Sequence, residues 1–463
     1  MAASFAKQNA LGFASQSIGL VSNLIFNVIF PVFLGALIFG KLSVSLGFAY
    51  FLVGLFDFGF NQSCIRFVSK YYAEKNYAKV KYAFWRLFKT KLLVSLVIAA
   101  LLLLSAPVLA AAYAVPELSV QLASALIILA SALNFFTVFF TAVNKNYVSL
   151  LGAIINSSFL IILPLLAYFA GFRLNGIIAA VVLSFFAATV FLVLKALAEL
   201  KKARSIEPVT GIERSVFGFS SVSFANVFAL WGILLILGLF VSSDVVAFFK
   251  VSLSLVLAVI SLVPISSSVA FSYFMQASSS REKLLDYTRK TLKYSLIIIV
   301  PAMFGLFLVG PKAVSVIYGP SYAQAGIALT WMCWAILPYF LNSILLSVLA
   351  SLGKLRVASK IYTSSLAAGV ASAFFLSPVF GLNGAAASFV FLNYLILALS
   401  LFAVRKEGVK IMACSYAAKP LIASLIMSVF VYFGLSFVSS LNSGIALVMG
   451  GIAVYFASLF FIK

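Results

Sequence analysis

Histidine is absent from this chain of 463 residues, and acidic residues are scarce, with 10 Asp and Glu against 32 Lys and Arg. The lack of histidine excludes histidine-based catalysis and removes the commonest zinc ligand. Three scattered cysteines, Cys64, Cys333 and Cys414, give neither a disulfide framework nor a metal-binding spacing. We therefore expect no cofactor and no metal site.

Charged residues are few overall, since 64% of the residues are hydrophobic and only 9% are charged. Apolar runs of about 18 residues or more, each long enough to cross a bilayer, recur from end to end. The stretch after Lys7 is too long for a signal-peptide core and is expected to be the first span. The sequence predicts an all-α polytopic membrane protein with about 14 transmembrane helices. We place them near residues 9–33, 43–68, 90–113, 118–142, 147–170, 174–197, 216–240, 245–274, 294–314, 325–351, 358–379, 383–404, 417–438 and 442–462.

Basic residues fall almost entirely in alternate loops. If the N-terminus is cytoplasmic, 28 of the 32 Lys and Arg lie on the inner side, and the outer side keeps four. This asymmetry predicts a multi-pass protein of the cytoplasmic (inner or plasma) membrane with both termini in the cytoplasm. It also argues against nucleic-acid binding, although the net charge is +22.

Two segments of the chain repeat about two hundred residues later. KLSVSLGFAYF begins at Lys41 and KVSLSLVLAVI at Lys250, while GFRLNG (171–176) precedes the sixth span and FGLNG (380–384) the twelfth. The offsets of 209 and 208 residues predict a duplicated six-span unit, with the copies related by an axis along the membrane normal. The predicted domains are two pseudo-symmetric six-helix lobes at 1–199 and 216–406, a cytoplasmic linker at 200–215 and a C-terminal helix pair at 407–463.

Asp57 is the acid that we predict to lie deep in a span. It follows Ser43 by fourteen residues, which places it about 21 Å from the outer face of a helix rising 1.5 Å per residue. An ionised carboxylate there costs about 2.5–3.5 kcal/mol, so it should face a wet cavity, pair with a cation or carry a proton. Gly54 and Asn61 would share its helix face. The alternative is a structural acid bonded to a neighbouring helix.

Three cations near the ends of spans are further candidates for a substrate cavity. Arg66 lies where the second span meets the cytoplasm, either as an interfacial anchor or as a phosphate contact at the inner mouth of the cavity. Lys41 and Lys250 occupy matching repeat positions. They are either interfacial anchors or a pair that approaches the pseudo-two-fold axis near the outer mouth.

Uncharged polar stripes mark the first and seventh spans. Such stripes either join helices or line a hydrated cavity, and both interpretations stay open. Four prolines lie within or near the ends of predicted spans, where proline permits bending, and none of them is assigned an individual role: Pro31, Pro264, Pro301 and Pro338. The candidate cavity residues on the stripes are Gln16, Asn23, Asn27, Ser223 and Asn226.

Three motifs resemble those of the polysaccharide transporters, or O-antigen-type flippases, of the multidrug/oligosaccharidyl-lipid/polysaccharide exporter superfamily. They are LVGLFDFGFNQSCIRFVSKYYAEKN (52–76), VSVIYGPSYAQAGIAL (314–329) and the LNG before the sixth and twelfth spans. The resemblance implies that the protein is not an enzyme. It implies transport of a polyprenyl-(di)phosphate-linked oligosaccharide by alternating access, for cell-surface polysaccharide or glycan biosynthesis.

The resemblance also implies partners, namely the lipid-linked substrate, membrane lipids and, as candidates, a polysaccharide polymerase or glycosyltransferases. The C-terminal helix pair, which related peptidoglycan-precursor flippases also have, is a candidate groove for the lipid tail. The sequence departs from the family in having few cations deep in spans, which weakens the expectation of a strongly charged central site.

Other functions stay open. An ion-coupled multidrug exporter of the same superfamily usually needs an acid in the first or seventh span, and both lack one here, which leaves Asp57 as the candidate coupling acid. A polytopic glycosyltransferase or ligase needs several outer carboxylates, but the predicted outer loops hold only Glu117 and Asp244. A peptidoglycan precursor as the substrate and a non-transporting scaffold are the remaining alternatives.

Overall fold

The computed structural model describes residues 2–57, 59–202, 205–210, 212, 220–262, 274, 280–408, 413–438 and 441–461. Regular structure within these ranges is helical throughout. A π-helical segment at Phe228–Gly232 joins two of the helices, and short 3₁₀ turns lie at Pro320–Tyr322 and Leu435–Phe437. The helices are α1 Ala2–Leu55, α2 Phe60–Ala73, α3 Tyr77–Ala112, α4 Glu117–Ala142, α5 Asn146–Phe169, α6 Leu174–Leu200, α7 Ser220–Val227, α8 Ile233–Gly238, α9 Ser243–Ile260, α10 Arg281–Tyr318, α11 Ala323–Cys333, α12 Ile336–Ser351, α13 Leu355–Lys406, α14 Ala413–Gly434 and α15 Leu441–Phe461.

Ten helices in the described ranges are long and apolar enough to cross a membrane. The number is eleven if the two segments Pro320–Cys333 and Ile336–Ser351, which are bent relative to each other, form one span. This is fewer than the predicted fourteen, partly because α1 and α13 each run through two predicted spans. The apolar parts of these two helices have 46 and 52 residues. Both are broken at a glycine with non-helical dihedrals, Gly35 (φ 72°, ψ 167°) and Gly381 (φ 53°, ψ −126°).

The chain divides into two compact units. Unit 1 consists of Met1–Phe26 and Lys41–Leu235, and unit 2 consists of Asn27–Gly40 and Ile236–Lys463. Helix α1 therefore contributes to both units. The predicted lobes divided the chain at other points, with the linker at 200–215, and those boundaries stay a prediction.

Unit 1 is built around α4, which packs against α2, α3, α5 and α6. Aromatic rings meet where α4 packs against α3. Phe84 and Phe88 of α3 contact Phe135, Phe136 and Phe139 of α4. Their ring centroids lie between 4.7 Å and 5.8 Å apart. Between apolar helices in a membrane, close packing of this kind replaces the hydrophobic effect as the source of cohesion.

Unit 2 contains the broken part of α1. Pro31 has no N–H to donate to the carbonyl of Asn27, four residues before it. The hydroxyl of Tyr318 donates to that carbonyl at 3.2 Å, and Tyr322 donates to the carbonyl of Pro31 at 3.1 Å, one turn before the break at Gly35. These two tyrosines belong to the YGPSY motif, so the motif satisfies backbone groups that the break in α1 exposes.

Candidate functional site

Asp57 lies at a break between two helices. Helix α1 ends at Leu55 and α2 begins at Phe60, with Gly59 in the left-handed conformation (φ 91°) immediately before it. Glycine adopts this conformation without the steric cost that a side chain would add. The prediction of an uninterrupted helix over 43–68 is therefore wrong at 56, 57 and 59, and Asp57 does not share one continuous helix face with Gly54 and Asn61.

A buried lysine from α3 neutralises Asp57. Lys91 Nζ lies 2.6 Å from Asp57 Oδ1 and also donates to Asn61 Oδ1 at 3.0 Å. The side chains of Lys91 and Asp57 are 5% and 19% exposed, and the ammonium group lies 5.8 Å from the ring centroid of Phe135. Removing one member of such a pair leaves an uncompensated buried charge. Pairing with a cation was one of the arrangements expected for Asp57, and the contact with α3 also agrees with the alternative of an acid bonded to a neighbouring helix.

Lys91 was not among the predicted site residues. The sequence places it directly before an uncharged run over 92–112, where a lysine is typical of a cytoplasmic loop. In the structure α3 begins at Tyr77, thirteen residues before the predicted start of the third span, so Lys91 lies well inside the helix and not at its start. Its pairing depends on how α2 packs against α3, which periodicity does not encode.

The three cations predicted as cavity residues, Arg66, Lys41 and Lys250, are not members of the Asp57–Lys91 ion pair. Arg66 is exposed on α2, with its guanidinium carbon 5.6 Å from the ring centroid of Phe67. Lys41 is partly buried in unit 1, whereas Lys250 is buried in α9 of unit 2. Their approach to a common axis stays a prediction.

The predicted polar stripes do not have uniform surroundings. Gln16 and Asn23 are exposed in unit 1, while Asn27 is buried in unit 2. Asn226 is partly buried on α7, and the side chain of Ser223 lies outside the described residues. Whether these residues line a cavity stays a prediction.

Apolar helices of bilayer-spanning length define a polytopic membrane protein, and solved structures share its fold. The lipid II flippase MurJ in an inward closed conformation has 15% identity and a TM-score of 0.72 over 97% of this chain and 98% of its own. An inward-facing multidrug resistance MATE family transporter of the MOP superfamily has 14% identity and a TM-score of 0.68 over 88% and 98%. A MOP superfamily transporter from Pyrococcus furiosus has 14% identity and a TM-score of 0.59 over 87% and 95%.

A family of polysaccharide biosynthesis proteins matches residues 7–278, which is more than half of the chain. The chain belongs to this family, and the resemblance drawn from the three motifs is confirmed. No curated protein matches the sequence. The chain is therefore a multi-pass membrane protein of this family, with a fold that it shares with solved flippase and transporter structures.

Proposed function

We propose that this protein is a flippase that moves a polyprenyl-(di)phosphate-linked oligosaccharide across the cytoplasmic membrane for cell-surface polysaccharide biosynthesis. The observation that carries the proposal is the match to the polysaccharide biosynthesis family on a chain whose fold is shared with a lipid II flippase. The name of that neighbour states that it flips a lipid, lipid II, which supports a lipid-linked substrate for this protein.

The proposed architecture has fourteen spans with both termini in the cytoplasm. As straight helices, the 46- and 52-residue apolar segments of α1 and α13 would be about 69 Å and 78 Å long, more than twice the roughly 30 Å hydrocarbon core. Breaks at Gly35 and Gly381 let each cross the membrane twice. The apolar segment Phe224–Gly238 and the bent pair ending in α12 supply one span each. Alternating access would then operate between the two predicted lobes.

Buried lysines support an anionic substrate group. Lys91 and Lys250 are both buried, one in each unit, although the sequence suggested few cations deep in spans. Arg66 adds an exposed guanidinium on α2, and its planar fork of donors suits a phosphate. We assign the diphosphate to the cations of unit 1, Lys91 and Arg66, with Asp57 compensating the positive charge of Lys91 when the phosphate is absent.

The C-terminal helix pair supplies a candidate site for the lipid tail. A cavity of about 520 Å³ lies where α14 and α15 meet. Its wall is almost entirely apolar and includes three phenylalanines, which suits a hydrocarbon chain. The lining residues are Phe430, Phe433, Gly434, Phe437, Val438, Ser443, Ala446 and Leu447.

An ion-coupled multidrug exporter is the second candidate, because the chain shares its fold with a multidrug resistance transporter. Asp57 would be the coupling acid in that case. Its carboxylate already binds the ammonium group of Lys91 at 2.6 Å, so an incoming cation would have to displace a covalently tethered one. This contact favours the flippase over the exporter.

Reconstitution into liposomes tests the proposal. A fluorescent polyprenyl-diphosphate-oligosaccharide is added, and its accessibility to an external, membrane-impermeant enzyme is followed. We expect protein-dependent translocation that fails for a lipid lacking the sugar. Sodium- or proton-driven efflux of a cationic dye without lipid translocation would instead assign the protein to the exporters.

A further inference from the structure

A polar cluster joins three helix ends in unit 1. Lys145, which precedes α5, places its Nζ 2.5 Å from Oε2 of Glu199 near the end of α6. The hydroxyl of Tyr72, near the end of α2, donates to Oε1 of the same carboxylate at 3.3 Å. Glu199 therefore connects the end of α2, the start of α5 and the end of α6.

A comparable cluster lies in unit 2, where the third residue contacts the backbone of the glutamate and not its carboxylate. Lys354, which precedes α13, places its Nζ 3.0 Å from Oε1 of Glu407, immediately after the end of α13. Arg281, the first residue of α10, donates from Nη2 to the backbone carbonyl of Glu407 at 2.6 Å. Glu407 thus connects the start of α10 with both ends of α13.

The two clusters occupy equivalent positions in the internal repeat. Tyr72 and Arg281 are 209 residues apart, as are Lys145 and Lys354, and Glu199 and Glu407 are 208 apart. The two sequence repeats have the same offsets, 209 residues for the segments that begin at Lys41 and Lys250 and 208 residues for the two LNG segments. The correspondence was not visible in the sequence, because the three members of each cluster are distant from one another along the chain.

The backbone around the two lysines is also equivalent. Each lysine follows a residue in the left-handed region, Asn144 (φ 55°) or Gly353 (φ 71°). The N–H of Lys145 donates to the carbonyl of Phe140 at 2.8 Å, and the N–H of Lys354 donates to Leu349 at 2.8 Å. Both turns therefore project a lysine from the same place toward a glutamate.

Helix electrostatics alone do not explain this placement. A cation at the start of a helix and an anion at its end both oppose the helix dipole. Lys145 and Lys354 lie at helix starts, while Glu199 and Glu407 lie at helix ends. Each charge is at the disfavoured end, so its stabilisation has to come from the opposite charge across the cluster.

We propose that these clusters are two matched clasps, Tyr72–Lys145–Glu199 in unit 1 and Arg281–Lys354–Glu407 in unit 2, which stay closed while the protein works. Each clasp fixes the predicted cytoplasmic ends of its helices to one another. Those ends then move as one body within their unit, and the movements of transport take place elsewhere. The inference does not depend on which substrate is carried.

The unit 1 clasp is the tighter of the two. Lys202 adds a second ammonium group 2.6 Å from Oε1 of Glu199, and the side chain of Glu199 is 8% exposed. The side chain of Glu407 is 30% exposed. Water competes more effectively for the exposed carboxylate, so breaking the unit 1 clasp should have the larger effect.

Hydrogen–deuterium exchange of the protein in lipid nanodiscs tests the clasps without any substrate. With Glu199→Gln we expect about tenfold faster exchange near 142–148 and 197–202, and with Glu407→Gln a smaller rise near 351–357 and 403–408. Glu117→Gln is the matched control, since it removes an exposed acid of unit 1 that is not in a clasp. Unchanged exchange in both clasp variants would overturn the proposal.

Cross-linking tests whether the clasps stay closed. Cysteines replace Lys145 and Glu199 in a chain whose native cysteines are substituted, and a short, cleavable thiol reagent joins them. We expect the cross-linked protein to translocate its substrate as fast as the uncross-linked protein. Arrest by the cross-link, relieved by its cleavage, would show that the clasp opens and would overturn the proposal. If even the wild-type protein translocates nothing, the proposed function fails, while the exchange experiment still decides on the clasps.

Discussion

The two units share their clasps but differ at the buried ion pair. In unit 1, Lys91 neutralises Asp57 beside a helix break. The residues 209 positions later are Val300, which is buried in α10, and Ser266, so unit 2 has neither charge. A feature built twice serves the construction of each unit, whereas a charged pair in only one unit is better explained by a function of the whole protein. Asp57 and Lys91 are for this reason the better candidates for transport residues.

The largest effect is expected from breaking the pair that unit 2 lacks. Lys91→Met leaves the Asp57 carboxylate without its cation, which should reduce the free energy of unfolding by about 3–5 kcal/mol and abolish translocation. Thermal unfolding in detergent and the liposome assay measure the two effects. Lys89→Met, an exposed lysine of the same helix, is the control and should change little.

The double variant Asp57→Asn/Lys91→Met separates stability from function. Both charges are removed together, so we expect most of the stability to return while translocation stays low. Translocation at the wild-type rate in the double variant would mean that the pair is purely structural, as in the alternative interpretation of Asp57.

The contribution of each clasp to stability should decrease as the exposure of its glutamate side chain increases. Glu199→Gln is expected to reduce the free energy of unfolding by about 1–3 kcal/mol, and Glu407→Gln by less than about 1 kcal/mol, because the second carboxylate is more exposed. Chemical or thermal unfolding of the two variants under the same conditions gives the ranking. The reverse order would contradict the comparison of the two clasps.

The helix break of unit 1 needs its glycine. Gly59→Ala places a side chain in the left-handed conformation and should cost about 1–2 kcal/mol of stability. Gly19→Ala, in a helical position with no atom within 4 Å of the new methyl group, is the control and should be neutral or stabilising. The position 209 residues after Gly59 is Ser268, so unit 2 has no corresponding glycine. Equal effects of the two substitutions on the unfolding temperature would show that the left-handed conformation at position 59 does not require glycine.

Arg66 should matter less than Asp57. Arg66 is exposed, so Arg66→Gln removes a phosphate contact without leaving a buried charge. We expect Asp57→Asn to impair translocation more than Arg66→Gln in the liposome assay. Activity near that of the wild type in both variants would refute the cavity assignment of Asp57.

The smallest effect concerns pH. The hydrogen bond to Glu199 raises the pKa of Lys202 above its usual value. The resulting stabilisation is fully present below the ordinary pKa of about 10.4 and is lost as the pH rises through the raised value. The unfolding temperatures of the wild type and Lys202→Met should therefore differ at about pH 9 and converge at higher pH. A constant difference across that range would show that Lys202 stabilises unit 1 by packing rather than by charge.

What the sequence could reveal follows from the kind of signal involved. Apolar runs and loop charges report on the membrane directly, so a polytopic membrane protein was predictable from them, and the three motifs indicated the family. Lys91 and Glu199 could not be paired with their partners, which lie 34 and 54 residues away along the chain and meet only through helix packing. The same limit applies to the YGPSY motif, which was noticed as a signature although its hydroxyls reach a helix near the N-terminus.

The two contacts between the YGPSY motif and α1 can form only late in the synthesis of the chain. Tyr318 and the carbonyl of Asn27 are 291 residues apart, as are Tyr322 and that of Pro31. At about 5–20 residues per second, the ribosome needs roughly 15–60 s to make the chain between them. Throughout that interval the carbonyls of Asn27 and Pro31 have to be satisfied by groups other than these two tyrosine hydroxyls. Helix α1 is therefore synthesised first, but its hydrogen bonds at the break are completed only after Tyr322 has been made.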